Sequence, residues 1–166
     1  MEIIRTNRIA EIRREKKFLE RTFNLKIQIT KGTVTIEGSP LDEYEATRVF
    51  EAIDLGFSAK TASILKDENF LFEIIRIKDF TRRKNLSVVR SRVIGTKGKT
   101  KDTIEQITGC KLKLKGNEIG IIGPADSMQY AITALTNIIR GTKQANAYKY
   151  LERINTQRKN KNGIRI

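Results

Sequence analysis

Between Phe80 and Lys101 the chain carries Arg82, Arg83, Lys84, Arg90, Arg92, Lys97, Lys99 and Lys101, and no acidic residue. Eight cations in 22 residues without a compensating carboxylate form a site for a polyanion rather than an ordinary solvated face. Inside this run the sequence Val93-Ile94-Gly95-Thr96-Lys97-Gly98-Lys99-Thr100-Lys101 sets two glycines three positions apart ahead of a helix-forming segment. Glycines there let backbone amides approach a phosphate closely. The following helix N-terminus supplies fixed positive potential, and Lys97 adds a mobile charge. A second G-x-x-G, Gly120 to Gly123, lies in an apolar strand with no cation near it and reads as structural. A nucleotide-binding P-loop is excluded, because G-x-x-x-x-G-K-S/T needs a glycine five residues before Gly98 and Val93 stands there.

Composition narrows the chemistry further. The 166 residues contain no histidine, which removes histidine-based acid/base catalysis, Ser-His-Asp and Cys-His triads and ordinary zinc sites. A metal nuclease built on carboxylates is disfavoured by the absence of acidic residues from the basic segment. No catalytic residue, metal or cofactor is therefore expected. The single cysteine, Cys110, sits in an alternation of apolar residues and lysines and reads as a half-buried core thiol. There are 33 basic and 19 acidic residues, a net charge of +14, which points to nucleic acid. The charge is uneven: residues 1–66 carry +2 and residues 67–166 carry +12. With 39% apolar residues and no apolar run of membrane-spanning length, a globular chain with no membrane partner is expected. Met1 to Arg8 lacks the apolar core of a secretory signal, so a cytoplasmic location is expected.

An internal repeat organises the elements. At an offset of 85 and without a gap, Ile9 pairs with Ile94, Leu19 with Ile104, Ile27 with Leu112, Ile29 with Leu114, Val34 with Ile119, Ile36 with Ile121, Gly38 with Gly123, Ala46 with Ala131 and Gly56 with Gly141. Two copies make a duplicated domain rather than a solenoid. The second copy predicts a strand over Phe70 to Ile77 and helices over Asn85 to Ile94 and Lys99 to Ile107. A hairpin of Cys110 to Lys115 and Glu118 to Ile122 follows, then a helix from Pro124 that stops at Gly141. The first copy predicts a strand over Glu2 to Arg5, one helix from about Asn7 to Phe23, strands Leu25 to Thr30 and Thr33 to Glu37, and a helix over Leu41 to Leu55. At the same offset Ala10 and Arg13 occupy the places of Gly95 and Gly98, so the first copy lacks the glycine loop. A short connecting helix is expected within Phe57 to Lys66, and a C-terminal helix over Gln144 to Arg158 with a polar, mobile tail to Ile166.

A G-x-x-G loop joining two helices of a βααββα unit resembles the type I KH module, which clamps about four single-stranded nucleotides. The implied fold is α+β with two tandem type I KH domains. Residues 1–66 hold the first, with its degenerate loop and connecting helix, and residues 67–166 hold the second, with its C-terminal helix. Carried onto this chain, the KH resemblance implies RNA contact by Gly95, Thr96, Lys97 and Gly98. It also implies an apolar base groove of Val93, Ile94, Leu112 and Leu114, with Arg92 and Lys111 at the rim. Arg82, Arg83, Lys84, Arg90, Lys99 and Lys101 join this RNA-binding set as the surrounding cations. Ile94, Leu112 and Leu114 also suit a purely core role.

Three segments narrow the resemblance. Leu55-Gly56-Phe57-Ser58 with Ala62 and Leu65, Arg92 to Thr100, and Tyr148-Lys149-Tyr150-Leu151-Glu152 resemble the "GFSPEKA…LL", "RIIGxxGKT" and "VYRFLE" segments of the Dim-two or Partner of Nob-one family of archaeal and eukaryotic ribosome-assembly factors. Ala59 replaces that family's proline, and Gln144-Ala145 replaces its "HG". The resemblance implies binding of the 3′ end of small-subunit (16S) rRNA during maturation, with the endonuclease that cuts there and pre-small-subunit proteins as partners. A generic KH subunit of an RNA-decay or translation complex is the alternative within the binding class.

Overall fold

The computed structural model describes residues 1–163, with side chains through Lys161. Two compact units divide between Phe72 and Glu73, whereas the sequence reading divided the chain after Lys66. The division falls inside the strand that opens the second sheet, so that strand cannot be assigned to one unit by composition.

In the first unit, β1 (Glu2–Arg5), α1 (Ile9–Arg14), α2 (Lys16–Phe23), β2 (Lys26–Thr30), β3 (Thr33–Glu37) and α3 (Pro40–Leu55) build a three-stranded antiparallel sheet in the order β1-β3-β2 with helices. Alternation decides which face is buried. Ile27 faces Ile36 and Ile29 faces Val34 across the ladder, and Ile27, Val34 and Ile36 are buried with Leu19, Phe23, Val49, Phe50 and Ile53. Ser39 caps α3, its side chain accepting from the Asp42 amide at 3.2 Å, with Pro40 at the first helical position. The connecting segment is α4 (Ala59–Ala62), capped by Ser58, followed by a 3₁₀ turn, Ser63–Lys66.

The single helix expected over Asn7 to Phe23 is broken at Glu15, which leaves helical geometry at φ −101°, ψ 13°. Ile12 and Leu19 are both fully buried on either side of the break, and no glycine or proline marks it. Ala10 and Arg13, matched in sequence to the loop glycines, lie inside α1.

The second unit repeats the order: β4 (Phe70–Arg76), a 3₁₀ turn at Ile77–Asp79, α5 (Leu86–Ile94), a 3₁₀ turn at Thr96–Gly98, α6 (Lys99–Thr108), β5 (Lys111–Lys115), β6 (Glu118–Pro124), α7 (Ala125–Arg140) and α8 (Gln144–Gly163). Its sheet order is β4-β6-β5, the same as the first unit's. Leu112 faces Ile121 and Leu114 faces Ile119, while Met128, Ala131, Leu135, Ile138 and Ile139 of α7 are buried. α8 runs to Gly163 rather than stopping at Arg158. Arg158 holds it down: its guanidinium donates to Ser127 Oγ at 2.8 Å and Asp126 Oδ2 at 2.5 Å and lies 5.8 Å from the Tyr130 ring centre. The part of the mobile tail expected over 164–166 lies outside the described residues.

The second G-x-x-G is structural, as its context implied. A side chain at Gly123 would press on Cys110, with Cβ at 2.9 Å and Cα at 3.1 Å. In the first unit Gly38 makes the same accommodation for Leu25, the residue 85 positions before Cys110. Cys110 is fully rather than half buried, and burial pushes its thiol pKa up. Among the described residues, no helix is long and apolar enough to cross a membrane, and no cluster of three metal-ligating carboxylates or thiols occurs.

Candidate nucleic-acid interface

The loop between α5 and α6 owes its shape to its two glycines, for different reasons. Gly95 sits at φ +77°, ψ 171°, a region that only glycine occupies without strain. A Cβ there would also lie 2.6 Å from the Thr100 amide nitrogen and collide with the Thr100 hydroxyl. Gly98 is left-handed at φ +76°, ψ 12°, but space around it is open, so its conformation alone selects glycine. The Gly98 amide donates to the Gly95 carbonyl at 3.1 Å, closing the turn. Between them Lys97 is itself left-handed, φ +54° and ψ 29°. No side chain caps the N-terminus of α6; the Lys99 amide donates back to the Thr96 carbonyl, and the positive end of the helix dipole lies at the loop. Thr96, Lys97 and Lys99 are exposed around that end. A helix N-terminus and two mobile ammonium groups therefore converge on one surface, an arrangement suited to one or more phosphates.

The remaining expected site residues separate into those presented to solvent and those committed elsewhere. Arg82, Arg83, Lys84 and Lys111 are exposed, as is Ile94 at 37%, and Leu114 is half-buried. Val93 and Leu112 are corrected to core residues at 0% and 3% exposure. Strand and helix periodicity turn both toward the buried side, so neither offers a base-contacting surface. Arg90 donates to Asn117 Oδ1 at 2.7 Å in the β5–β6 turn, and Arg92 donates to the Thr142 carbonyl at 2.8 Å. Lys101 pairs with Glu105 one helical turn on. These three cations brace the domain as much as they charge it, and spacing along the sequence gave no sign of the distant partners of Arg90 and Arg92.

Sequence reading also missed the underside of the loop. Thr100 is buried, and Tyr148 on α8 donates its hydroxyl to Thr100 Oγ1 at 3.1 Å. Gln144, at the start of α8, donates to the Arg92 carbonyl at 3.1 Å. The only available signal was that Tyr148 falls in a segment already singled out.

The first unit has nothing equivalent at its helix junction. Glu11 is buried, accepts from the Ala59 amide at 3.1 Å and pairs with Arg14, which also approaches Glu15 at 3.9 Å. This junction pairs Glu11 with Arg14 and the Ala59 amide, leaves Arg13 and Lys17 exposed, and has no glycine to shape a loop.

Comparison with known proteins agrees with the geometry. The family model of the second KH domain of PNO1, a eukaryotic-type (type I) KH domain, matches residues 71–156. A KH domain-containing protein of Methanocaldococcus jannaschii is 34% identical over 83% of this chain and 64% of its own length. The chain spans less than two thirds of the length of the curated relatives it matches first. The crystal structure of Dim2p from Pyrococcus horikoshii superposes with a TM-score of 0.82 at 33% identity, covering 92% of this chain and 98% of that one. A chain of the a/eIF2α–aDim2p–rRNA complex from the same organism gives 0.83 at 32% identity, covering 94% of each. With its α+β architecture, its G-x-x-G loop between α5 and α6 and these matches, the chain belongs to the Dim2/PNO1 family of KH-domain RNA-binding proteins.

Proposed function

We propose that this chain is a small-subunit assembly factor that binds the 3′ end of 16S rRNA as a single strand, through the second unit. The observation that carries this reading is the loop at Gly95 to Gly98, with the uncapped N-terminus of α6 behind it and exposed Lys97 and Lys99 beside it. A related chain solved in a complex containing rRNA supports the choice of rRNA. Ile94 and Leu114 offer the partly exposed apolar surface for bases, and Lys111, Arg82, Arg83 and Lys84 flank it. The first unit is a KH fold without the clamp, on the strength of its identical strand order. It is the surface available to protein partners, among them the endonuclease acting at the rRNA 3′ end.

Replacing Thr96 and Lys97 together by aspartate tests the clamp while keeping both glycines. Aspartate tolerates the left-handed conformation of position 97, and two carboxylates near a helix N-terminus suit its dipole, so the fold is preserved. RNA affinity should fall about 30-fold, roughly 2 kcal/mol, since each charge-assisted contact is worth about 1.5 to 3 kcal/mol. Binding equal to the parent's removes the clamp. Crosslinking to total cellular RNA, followed by sequencing, decides the RNA: enrichment of 16S 3′ termini supports the assembly role, and a spread over unrelated transcripts favours a generic KH subunit.

A further inference from the structure

α8 touches both helix ends that flank the loop, and it does so from one face. Gln144 and Tyr148 are four residues apart, so their side chains lie one above the other on the same side of the helix. Gln144 Nε2 donates to the Arg92 carbonyl, one of the last α5 carbonyls, which the helix itself leaves unpaired. Tyr148 Oη donates at 3.1 Å to Thr100 Oγ1 in the first turn of α6. Thr100 is 2% exposed, and its amide and hydroxyl are the atoms that a side chain on Gly95 would strike. Arg92 answers from the other side, donating to the Thr142 carbonyl just before α8 begins. A rigid stretch of α8 thus fixes how far the end of α5 stands from the start of α6, and that gap is the loop.

We infer that Tyr148 is a positioning residue for RNA binding: through Thr100 it holds the Gly95–Gly98 loop in its phosphate-binding shape without touching RNA. This rests on the clamp reading above. Positioning a site from behind matters because a fixed donor array binds without first being ordered, whereas a loose one must be organised by the ligand at the expense of affinity. The Tyr148 ring serves to deliver the hydroxyl; its loss, not loss of ring packing, is what the loop should register.

The test uses the full chain and a fluorescent single-stranded RNA carrying the 3′-terminal 16S sequence. Tyr148→Phe keeps the ring and removes the hydroxyl, and should weaken binding roughly three- to ten-fold, the range one neutral hydrogen bond supplies. The same change made on top of the Thr96→Asp, Lys97→Asp pair should alter the residual affinity less than two-fold, because a loop already disabled has nothing left to position. A merely structural tyrosine would lower the melting temperature and leave RNA affinity unchanged well below it. Parent-like affinity in Tyr148→Phe overturns the inference, as does an equal loss in both backgrounds. If Tyr148→Phe does not fold, Thr100→Val against Thr100→Ser asks the question from the other end. The valine variant should bind weakly and the serine variant like the parent, and equal affinities overturn the inference. If the double aspartate variant binds like the parent, the clamp reading falls and takes this inference with it; if it binds weakly while Tyr148→Phe does not, only the inference falls.

Discussion

In the first unit α1 and α2 meet across the single residue Glu15; Glu11, Arg14 and Glu15 there pair with one another and with the Ala59 amide, while Arg13 and Lys17 face solvent. In the second unit α5 and α6 are held apart by four residues, and the charges there, Lys97 and Lys99, face solvent. The sheets and the following helices of the two units share one plan, and they differ at the corner and in the α8 helix that only the second unit carries. A one-residue corner, with Glu11 buried beneath it, leaves no glycine-shaped gap between its helices even though Arg13 and Lys17 beside it are exposed. A longer glycine-shaped corner leaves a helix N-terminus and ammonium groups at the surface, and binding becomes possible there. The two units share one strand order, and four residues separate α5 from α6 where one separates α1 from α2.

The largest effect that would sharpen this contrast is at Gly95. Gly95→Ala combines a glycine-only backbone conformation with a clash against the Thr100 backbone. It should destabilise the fold by about 3 kcal/mol and abolish measurable RNA binding at concentrations where the parent saturates. Gly98→Ala carries only the conformational cost, about 1 kcal/mol, and should melt closer to the parent. Equal losses at the two positions, followed by calorimetry and RNA titration, would break the account of the corner.

A smaller effect separates the two buried glycines. At Gly123 an added methyl meets the Cα and Cβ of Cys110, which cannot swing away, whereas at Gly38 the nearest atom, at 2.7 Å, is the far end of the Leu25 side chain. Gly123→Ala should cost about 2 kcal/mol and Gly38→Ala less than half of that, read as thermal midpoints. The reverse order would show that the two units are not packed alike behind their hairpins.

The smallest expected effect is in the first unit's corner. Arg13 is exposed on α1, and Arg13→Asp should change RNA affinity less than two-fold, against about 30-fold for the paired aspartates in the second unit. A comparable loss would give the first unit a share of the RNA and erase the contrast.

From Lys16 onward the repeat was legible to the residue: β2 and β5, and α3 and α7, each stand 85 positions apart. That legibility comes from strand alternation and from glycines at helix ends, both local signals. Before Lys16 the ungapped offset misled. The first unit is shorter there, and pairs such as Ile9 with Ile94 set a helix start against a helix end. At the candidate site, the glycines and exposed lysines were readable because their conformation and charge are properties of single residues. Val93 and Leu112 were misassigned, since an apolar residue beside a binding loop has the same signature whether it faces in or out. The Lys101–Glu105 pair was open to reading as an i,i+4 helical pair, whereas Arg90 and Arg92 were read as free charge because their partners, 27 and 50 residues along the chain, leave no trace in a local pattern. The brace from Tyr148 was hidden for the same reason.

That brace also has a place in time. Tyr148 lies 48 residues after Thr100, so a ribosome making this chain completes α5, the loop and α6 well before it supplies the residue that holds them from behind. At about 5 to 20 residues per second the interval is about 2 to 10 s. Through that interval the nascent chain already displays the full basic segment, yet its phosphate loop is unbraced. On the inference that Tyr148 positions the loop, RNA-binding competence comes only once α8 has been made, late in the synthesis of a chain that is strongly basic from Arg82 onward.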